Sequence, residues 1–544
     1  MGILANENAI SSGGYNISNS LRFQSASSQY LARTPASAGN RQTWTWSAWI
    51  KKSQILADST DQFLLHAYSG SGNTQQTGFA FASYSPSGII DSIRIQSGTQ
   101  GVSQDFDYGF ANTYRDPASW YHIVVAFNTT NATASNRCKV YVNGNQLGSP
   151  VSYAGRSTTI SQNYQTAINN NISQNLGRNV SGSSYFDGDM TEVNFIDGQA
   201  LTPSSFGNTD ATSGQWVAKK YTGTYGTNGF YLPFSNGTST TTLGADSSGN
   251  SNNWTLTNFT RSAGVSDCWM KDVPSGNGSA GTQPNSNYCV LNPLDKDSSV
   301  TISKANLTQT SSSGGQADCS IEIPSTGKWY VEYINTVGST ISLKIANDAG
   351  QYIGYLNNGN KETSSGGASA YGSSWTTNDV IAVAVNCDAS TVTFYKNNVS
   401  QGALNFSIDS ISSTNVFFRN YTANSSAIIN ANFGQRSWAY TPPTGFKALC
   451  TSNLASTTVA TSGSFVGNVS TDGPFIWCNG TPETLTINGN AVTFGTQADR
   501  LSNGFKLITT STSYNSTGTN TWTSTILSPS LKSAFKNQNA KGNP

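Results

Sequence analysis

Ser119-Trp120-Tyr121-His122-Ile123-Val124-Val125-Ala126-Phe127, then Cys138-Lys139-Val140-Tyr141-Val142-Asn143-Gly144, then Tyr185-Phe186-Asp187-Gly188-Asp189-Met190-Thr191-Glu192-Val193-Asn194-Phe195-Ile196 are the stretches on which the fold turns. Alternation in the first puts Trp120, His122, Val124 and Ala126 on one face and Tyr121, Ile123, Val125 and Phe127 on the other. Both faces are largely apolar, which suits a central strand buried on two sides. The second ends at Asn143-Gly144, a pair that accepts the positive φ angles of a tight hairpin turn. The third alternates between apolar and polar residues and reads as a half-buried strand.

The same texture extends outward. Turn residues recur at short intervals, separated by runs rich in Val, Ile, Thr, Tyr, Phe and Trp, so the chain reads as all-β sandwiches. In Thr43-Trp44-Thr45-Trp46-Ser47-Ala48-Trp49-Ile50, alternation sets Trp44 and Trp46 on one face and Trp49 on the other. Helical spacing is confined to Pro529–Asn537, where Leu531, Ala534 and Phe535 recur. A length of 544 residues exceeds one core. The expected division is an N-terminal arm over 1–20 for anchoring or oligomerisation, a first sandwich over 21–261, and a Gly/Pro/Ser-rich connector over 262–297. A second sandwich over 298–442 and a small β-rich C-terminal domain over 443–544 complete it. Trp269, Tyr288 and Leu291 give the connector residues with which to dock on a neighbour. Leu485-Thr486-Ile487-Asn488-Gly489-Asn490-Ala491-Val492-Thr493-Phe494 reads as a hairpin in the last unit.

Composition removes several functions. With 10% charged residues and a net charge of +1, no basic field exists for nucleic acid and no acidic one for a cationic substrate. Met1–Glu7 lacks a basic start and a long apolar run, so neither a signal peptide nor membrane insertion is expected. The seven cysteines (Cys138, Cys268, Cys289, Cys319, Cys387, Cys450, Cys478) are odd in number, scattered and without a CxxC pair. They read as reduced thiols of a protein made and assembled in a cytoplasm.

Trp120-Tyr121-His122-Ile123-Val124-Val125 resembles the "WhHVAvt" strand of laminin-G-like, concanavalin-like jelly rolls, and Val140-Tyr141-Val142-Asn143-Gly144 resembles their "lYvNG" hairpin. Phe186-Asp187-Gly188-Asp189-Met190-Thr191-Glu192-Val193 with Ala200-Leu201-Thr202 is similar to their closing strand, with Thr191 where the family usually has Asp. Gly327-Lys328-Trp329-Tyr330-Val331-Glu332, Asn378–Ala384, Thr393–Asn398 and Asn432-Phe433-Gly434 resemble landmarks of SPRY domains, with Asn378 and Asn398 in place of usual glycines. The combination, with Gly226–Phe234 and Gly467–Phe475, is similar to virion appendage proteins of tailed phages. The resemblance implies tandem antiparallel jelly-roll sandwiches, a place on the virion among other virion proteins, and a homo-oligomer, most readily a trimer.

Candidate chemistry is sparse. Jelly-roll glycosidases carry paired carboxylates in an E-x-D-x-x-E string, which does not occur; Asp187, Asp189 and Glu192 come closest, with Glu192 at odd spacing and pointing away from the other two. The two histidines, His66 and His122, read as core or barely exposed, and nothing resembles G-x-S-x-G. No catalytic, cofactor-binding or metal-binding residue is assigned. Asp246-Ser247-Ser248-Gly249-Asn250-Ser251-Asn252-Asn253 spaces its oxygens like a calcium loop and equally like an Asx-rich turn. Tyr68, Tyr84, Tyr108, Tyr153, Tyr371 and Trp375, set among Asn and Ser, could offer ring faces to a sugar. The expected function is that of a non-enzymatic fibre, spike or decoration subunit binding host-surface glycan. A polysaccharide depolymerase and a purely architectural protein are the alternatives.

Overall fold

Two antiparallel sandwiches follow one another along the chain. The computed structural model describes residues 15–454 apart from short segments at 71–74, 100–102, 211–214, 262–263, 275–279, 338–339, 412–415 and 424–426, together with the backbone of strands beyond 454. The Pro529–Asn537 segment and residues 1–14 of the arm lie outside the described residues.

In the first sandwich, one eight-stranded sheet runs Asn145–Gln146, Cys138–Val142, Trp120–Asn128, Thr43–Lys52, Gly188–Asp197, Ser20–Phe23 and Trp269–Met270, with Phe230–Leu232 also on Gly188–Asp197. The facing sheet runs Val151–Ser152, Ser103–Gly109, Ile89–Thr99, Gln75–Tyr84, Thr60–Tyr68, Gln174–Leu176, Tyr30–Arg33 and Thr255–Thr257. Trp120–Asn128 sits centrally, as its two apolar faces require. Tyr121, Ile123, Val125 and Phe127 enter the core between the sheets, while Trp120 and Val124 join apolar clusters on the outer side. Trp44 stacks on Phe127 (4.4 Å) and Trp46 meets Phe79 edge-on (4.8 Å); Trp49 faces outward, as alternation requires. Asn143 and Gly144 turn at φ +47° and +82°, joining Val142 to its partner Asn145.

Gly188–Asp197 corrects the half-buried expectation, because every residue from Gly188 to Ile196 is buried. Its outer face is covered by distant segments: Tyr15 and Asn19 of the arm bond Glu192 and Thr191 at one end, and Phe206, Tyr221 and Tyr225 pack at the other. Covering segments of this kind come from far along the chain and leave no trace in the strand's own pattern.

The second sandwich pairs Leu291–Lys296, Gly315–Cys319, Val416–Thr422, Ile341–Asn347, Tyr352–Leu356, Asn360–Thr363 and Gly367–Ala370 in one sheet. The other sheet holds Val300–Ser303, Thr308–Ser311, Ala427–Asn432, Lys328–Val337, Val380–Asn386, Thr391–Lys396 and Val399–Asn405, with Lys447–Ala448 parallel to Lys328–Val337. This body therefore draws in strands from the connector and from beyond 442. Past 454 the strands form a four-stranded and a three-stranded sheet, and Ile487 pairs with Asn490 across Asn488-Gly489 as the hairpin reading expects. Among the described residues the only α-helix is the single turn Thr240–Leu243, and no helix is long and apolar enough to cross a membrane.

The connector joins the sandwiches through buried polar groups. Lys51 Nζ donates to Asp272 Oδ2 (2.8 Å), Asn287 Oδ1 (2.8 Å) and the Tyr288 carbonyl (2.9 Å). Trp120 Nε1 donates to Asp272 Oδ1 (3.0 Å), and the Ala305 N–H of the second sandwich donates to Asp187 of the first (3.1 Å). Trp269 pairs in the first sheet, and Tyr288 and Leu291 are fully buried, so the connector is docked. Six described cysteines are free thiols, Cys138 half-buried and the rest buried.

Candidate functional site

His122 gives the molecule its nearest approach to a catalytic constellation. Its Nε2 lies 2.9 Å from Ser47 Oγ, while Trp216 Nε1 donates to its Nδ1 (2.9 Å). An indole N–H can only donate, so Nδ1 carries no proton and the neutral ring holds it on Nε2. In that tautomer the imidazole donates to Ser47 and has no lone pair with which to take the serine's proton. Burial pushes its pKa down to about 3, and the ring is sandwiched between Trp49 (4.9 Å) and Trp216 (5.9 Å). His66 is likewise buried, with burial lowering it to about 4, and its Nδ1 accepts from the Val180 N–H (3.0 Å). Both histidines are core residues, as their strand contexts suggest.

The three acids are arranged differently from the expectation. Thr191 pairs with Trp49 and Asn194 with Ser47, so Glu192 and Val193 together oppose Ala48 in a β-bulge. Glu192 takes φ +54°. The extra residue returns Val193 to the core and leaves both Thr191 and Glu192 outside, on the face that Asp189 also occupies. Strict alternation had pointed Glu192 the other way; the bulge overturns that. Asp189 lies between Arg22 and Lys51 in register, and Glu192 accepts from Tyr231 Oη (2.8 Å) and Tyr15 Oη (3.3 Å). Asp187 accepts from Ser53 Oγ (2.6 Å) and Ser25 Oγ (2.9 Å). All three are buried beneath covering segments.

Asp246 saturates its carboxylate with donors from the chain. Oδ1 accepts from the N–H groups of Tyr231 and Ser248, and Oδ2 from the Asn252 N–H and Ser248 Oγ, all at 2.8 Å. The amides of Asn250 and Asn252 donate to the Gly229 carbonyl (2.9 and 2.8 Å). This is the geometry of an Asx-rich turn, complete in itself. Asp246→Ala is expected to lower stability by about 1–2 kcal/mol through the donors it strands. EDTA is expected to leave the melting temperature of the native protein unchanged; a rise on adding millimolar calcium would show that an ion engages this loop.

The aromatic residues divide. Trp375, in a loop, is 1% exposed and Tyr108, in a strand, is 4% exposed; both are core members, so neither ring stands open at the surface. Tyr371 is half-buried against Tyr355 (5.5 Å), and Tyr68 closes a strand. Tyr84 and Tyr153 are half-exposed and stack at 4.6 Å with 29° between planes. The Arg94 guanidinium lies 3.6 Å from the Tyr153 ring centroid. Arg94 itself is locked, with Nε and Nη2 on the two oxygens of Asp107 (2.8 and 2.7 Å) and Nη1 on Asp61 (2.6 Å). Burial pushes the Tyr153 hydroxyl up to about 12, so it stays a neutral donor and acceptor. The arrangement is a rigid aromatic platform beside a turn in which Ala154 and Gly155 take φ +51° and +75°.

Residues 25–205 match the laminin-G model described as the concanavalin A-like lectin/glucanases superfamily, and residues 331–436 match the SPRY domain model. A concanavalin-like domain precedes a SPRY domain. The SPRY domain of human HERC1 is similar at 13% identity over 26% of this chain and 96% of its own, with a TM-score of 0.23. A Bacteroides ovatus ATCC 8483 protein, whose description proposes carbohydrate binding, is 14% identical over 44% of this chain and 58% of its own, with a TM-score of 0.29. No curated protein matches the chain.

Within the concanavalin-like domain, Arg94 and Asp107 are the members of the platform that the sequence reading passed over. Their signal was present: each is the charged residue in an otherwise inward-and-outward alternating run, Ile93-Arg94-Ile95 and Phe106-Asp107-Tyr108. What alternation does not reveal is that the two strands are neighbours, with Arg94 opposite Gly109 and Gln96 opposite Asp107.

Proposed function

We propose that this chain is a non-enzymatic virion subunit of a tailed phage, a fibre, spike or surface-decoration protein, that binds host-surface glycan. The observation that carries the binding part is the Tyr84–Tyr153 stack held on a locked Arg94, in a domain whose family is described as lectins and glucanases. Sugar rings stack their C–H faces on such rings, and the neutral Tyr153 hydroxyl can donate to or accept from a sugar hydroxyl. The virion setting, the trimer, the partner virion proteins and assembly in a host cytoplasm rest on the sequence resemblance. The non-enzymatic part draws support from the Nε2–H tautomer of His122.

On an array of host-surface glycans, Tyr153→Ala should weaken binding at least tenfold. Arrays flat for the native protein with and without calcium would favour a purely architectural role. Mass spectrometry of purified virions tests the setting, and absence of the chain would end it.

A depolymerase using acids that converge only in three dimensions is the second reading; the bulge sets Glu192 on the face of Asp189, but both are buried. Release of reducing ends from host capsule would support it, and no release would remove it.

A further inference from the structure

An amine, a carboxamide and a carboxylate meet where the connector crosses the outer face of the first sandwich. Lys51 leaves the central Thr43–Lys52 strand on the same side as Trp49. Its Nζ lies 2.8 Å from Asn287 Oδ1, 2.8 Å from Asp272 Oδ2 and 2.9 Å from the Tyr288 carbonyl. Lys51 and Asp272 are 2% and 1% exposed, so bulk water is kept from the amine. Trp120, which bonds Asp272, packs with Trp49, Val273 and Ile17 in an apolar cluster.

Asn287 is held from two directions. Its Nδ2 donates to the Ala118 carbonyl (2.8 Å), and its backbone carbonyl accepts from the Thr451 N–H (2.9 Å). A C=O bond is about 1.2 Å long, so the Asn287 Cγ lies within about 4 Å of Lys51 Nζ. Reacting atoms in a near-attack pair stand about 3–3.5 Å apart, so a closure of at most about 1 Å separates this hydrogen bond from a reactive contact. The neighbouring buried lysine lacks these parts. Lys52 bonds Asp91 and the Tyr114 carbonyl and has no carboxamide partner among the described residues.

We infer that Lys51 and Asn287 join in an intramolecular isopeptide bond, with Asp272 as the proton carrier, which fastens the connector covalently to the central strand of the first sandwich. Asp272 takes a proton from the Lys51 ammonium, and the freed amine adds its lone pair to Asn287 Cγ. The tetrahedral adduct collapses as the Cγ–Nδ2 bond breaks. Nζ gives up two of its three protons, both by way of Asp272, and Nδ2 leaves with them as ammonium. Asp272 ends as the carboxylate it began as, and no oxidant or reductant is consumed. Burial raises the Asp272 carboxyl above the usual carboxylate range, which makes it a better base toward an ammonium. Asn287 is half-buried, so the leaving group has a way out to solvent.

The test is the mass of the full native chain, followed at neutral pH until it no longer changes. It should settle one ammonia below that of the linear chain, about 17 Da. A trypsin digest should yield one branched peptide joining Lys51 to Asn287, with no cut after Lys51. Lys51→Arg and Asn287→Ala should both keep full mass and run more slowly than the native chain on a denaturing gel, because they lack its closed loop. Asn287→Ala leaves the Lys51–Asp272 pair in place, and an unchanged circular dichroism spectrum verifies that its full mass reports the missing bond. Asp272→Asn keeps the shape of the carboxylate and should slow bond formation at least about a hundredfold. A native chain of full mass would overturn the inference. A loss of ammonia that maps to a succinimide at an Asn-Gly pair such as Asn143-Gly144 would overturn it equally. A bond that forms as fast in Asp272→Asn would overturn the part given to Asp272.

Discussion

Asp272→Ala is expected to cost about 3–5 kcal/mol, because it removes one partner of a buried ion pair and strands the other. Lys51 Nζ and Asp272 Oδ2 lie 2.8 Å apart with side chains 3% and 2% exposed. The same carboxylate accepts from Trp120 Nε1 (3.0 Å) and the Tyr288 N–H (3.3 Å). Without it the Lys51 ammonium keeps the neutral oxygens of Asn287 and Tyr288 as hydrogen-bond partners, with Asp189 as its remaining charged neighbour, and an indole and a backbone N–H lose their acceptor. For a domain of this size the loss corresponds to a fall of roughly 10 °C in melting temperature. The position of the pair makes the effect larger than a local one. Lys51 belongs to the central Thr43–Lys52 strand of the first sandwich, while Asp272, Asn287 and Tyr288 belong to the connector that leads into the second. Asp272→Ala should therefore also expose the connector to protease before either sandwich unfolds. Lys51→Met combined with Asp272→Leu should recover part of the loss, since no charge is then left unpaired. A single-mutant cost under about 1 kcal/mol would show that water reaches the pair and that the connector is not held by it.

Much of the architecture was legible because strand burial writes itself in alternation. Trp44 and Trp46 inward with Trp49 outward, the two-sided apolar Trp120–Phe127 run, and the Asn143-Gly144 turn all follow from a period of two and from the φ angles a turn needs. The misreadings have physical causes of two kinds. One is a change of phase: the bulge at Glu192 inserts a residue with no glycine or proline to mark it, so counting by twos put the carboxylate on the wrong face. The other is contact at long range. Trp216 reaches His122 across 94 positions, and Tyr15 reaches Glu192 across 177, so the covering of the outer face is invisible in either segment alone. The candidate site shows the same split. Tyr84 and Tyr153 could be named as aromatic residues in polar loops, but their stacking, and the Arg94 that fixes them, depend on strand neighbours that only the folded chain supplies.

Glu192→Gln should change the pH dependence of stability. Burial raises the Glu192 carboxyl from 4.5 to about 7, only partly offset by hydrogen bonds from Tyr231 and Tyr15 and by the nearby Lys220. A carboxyl whose folded pKa exceeds its unfolded value favours folding in its protonated form. Its contribution is fully present below about pH 4.5 and is lost as the pH rises through about 7. That difference corresponds to about 3 kcal/mol between those limits. Glutamine keeps the shape of the protonated acid and has no proton to lose, so the native melting temperature should fall between pH 5 and 8 relative to that of the variant. Near pH 8 the variant should be the more stable protein. The readout can also be made local. Tyr15 Oη bonds Tyr231 Oη at 2.7 Å and Glu192 at 3.3 Å, and Ile17 packs with Trp49 and Trp120, so ionising Glu192 loads charge directly beneath the arm. Hydrogen exchange at residues 15–19 should accelerate above pH 7 in the native protein and stay flat in Glu192→Gln. Parallel pH profiles for the two proteins would mean that Glu192 is solvated and that the bulge holds an ordinary surface acid.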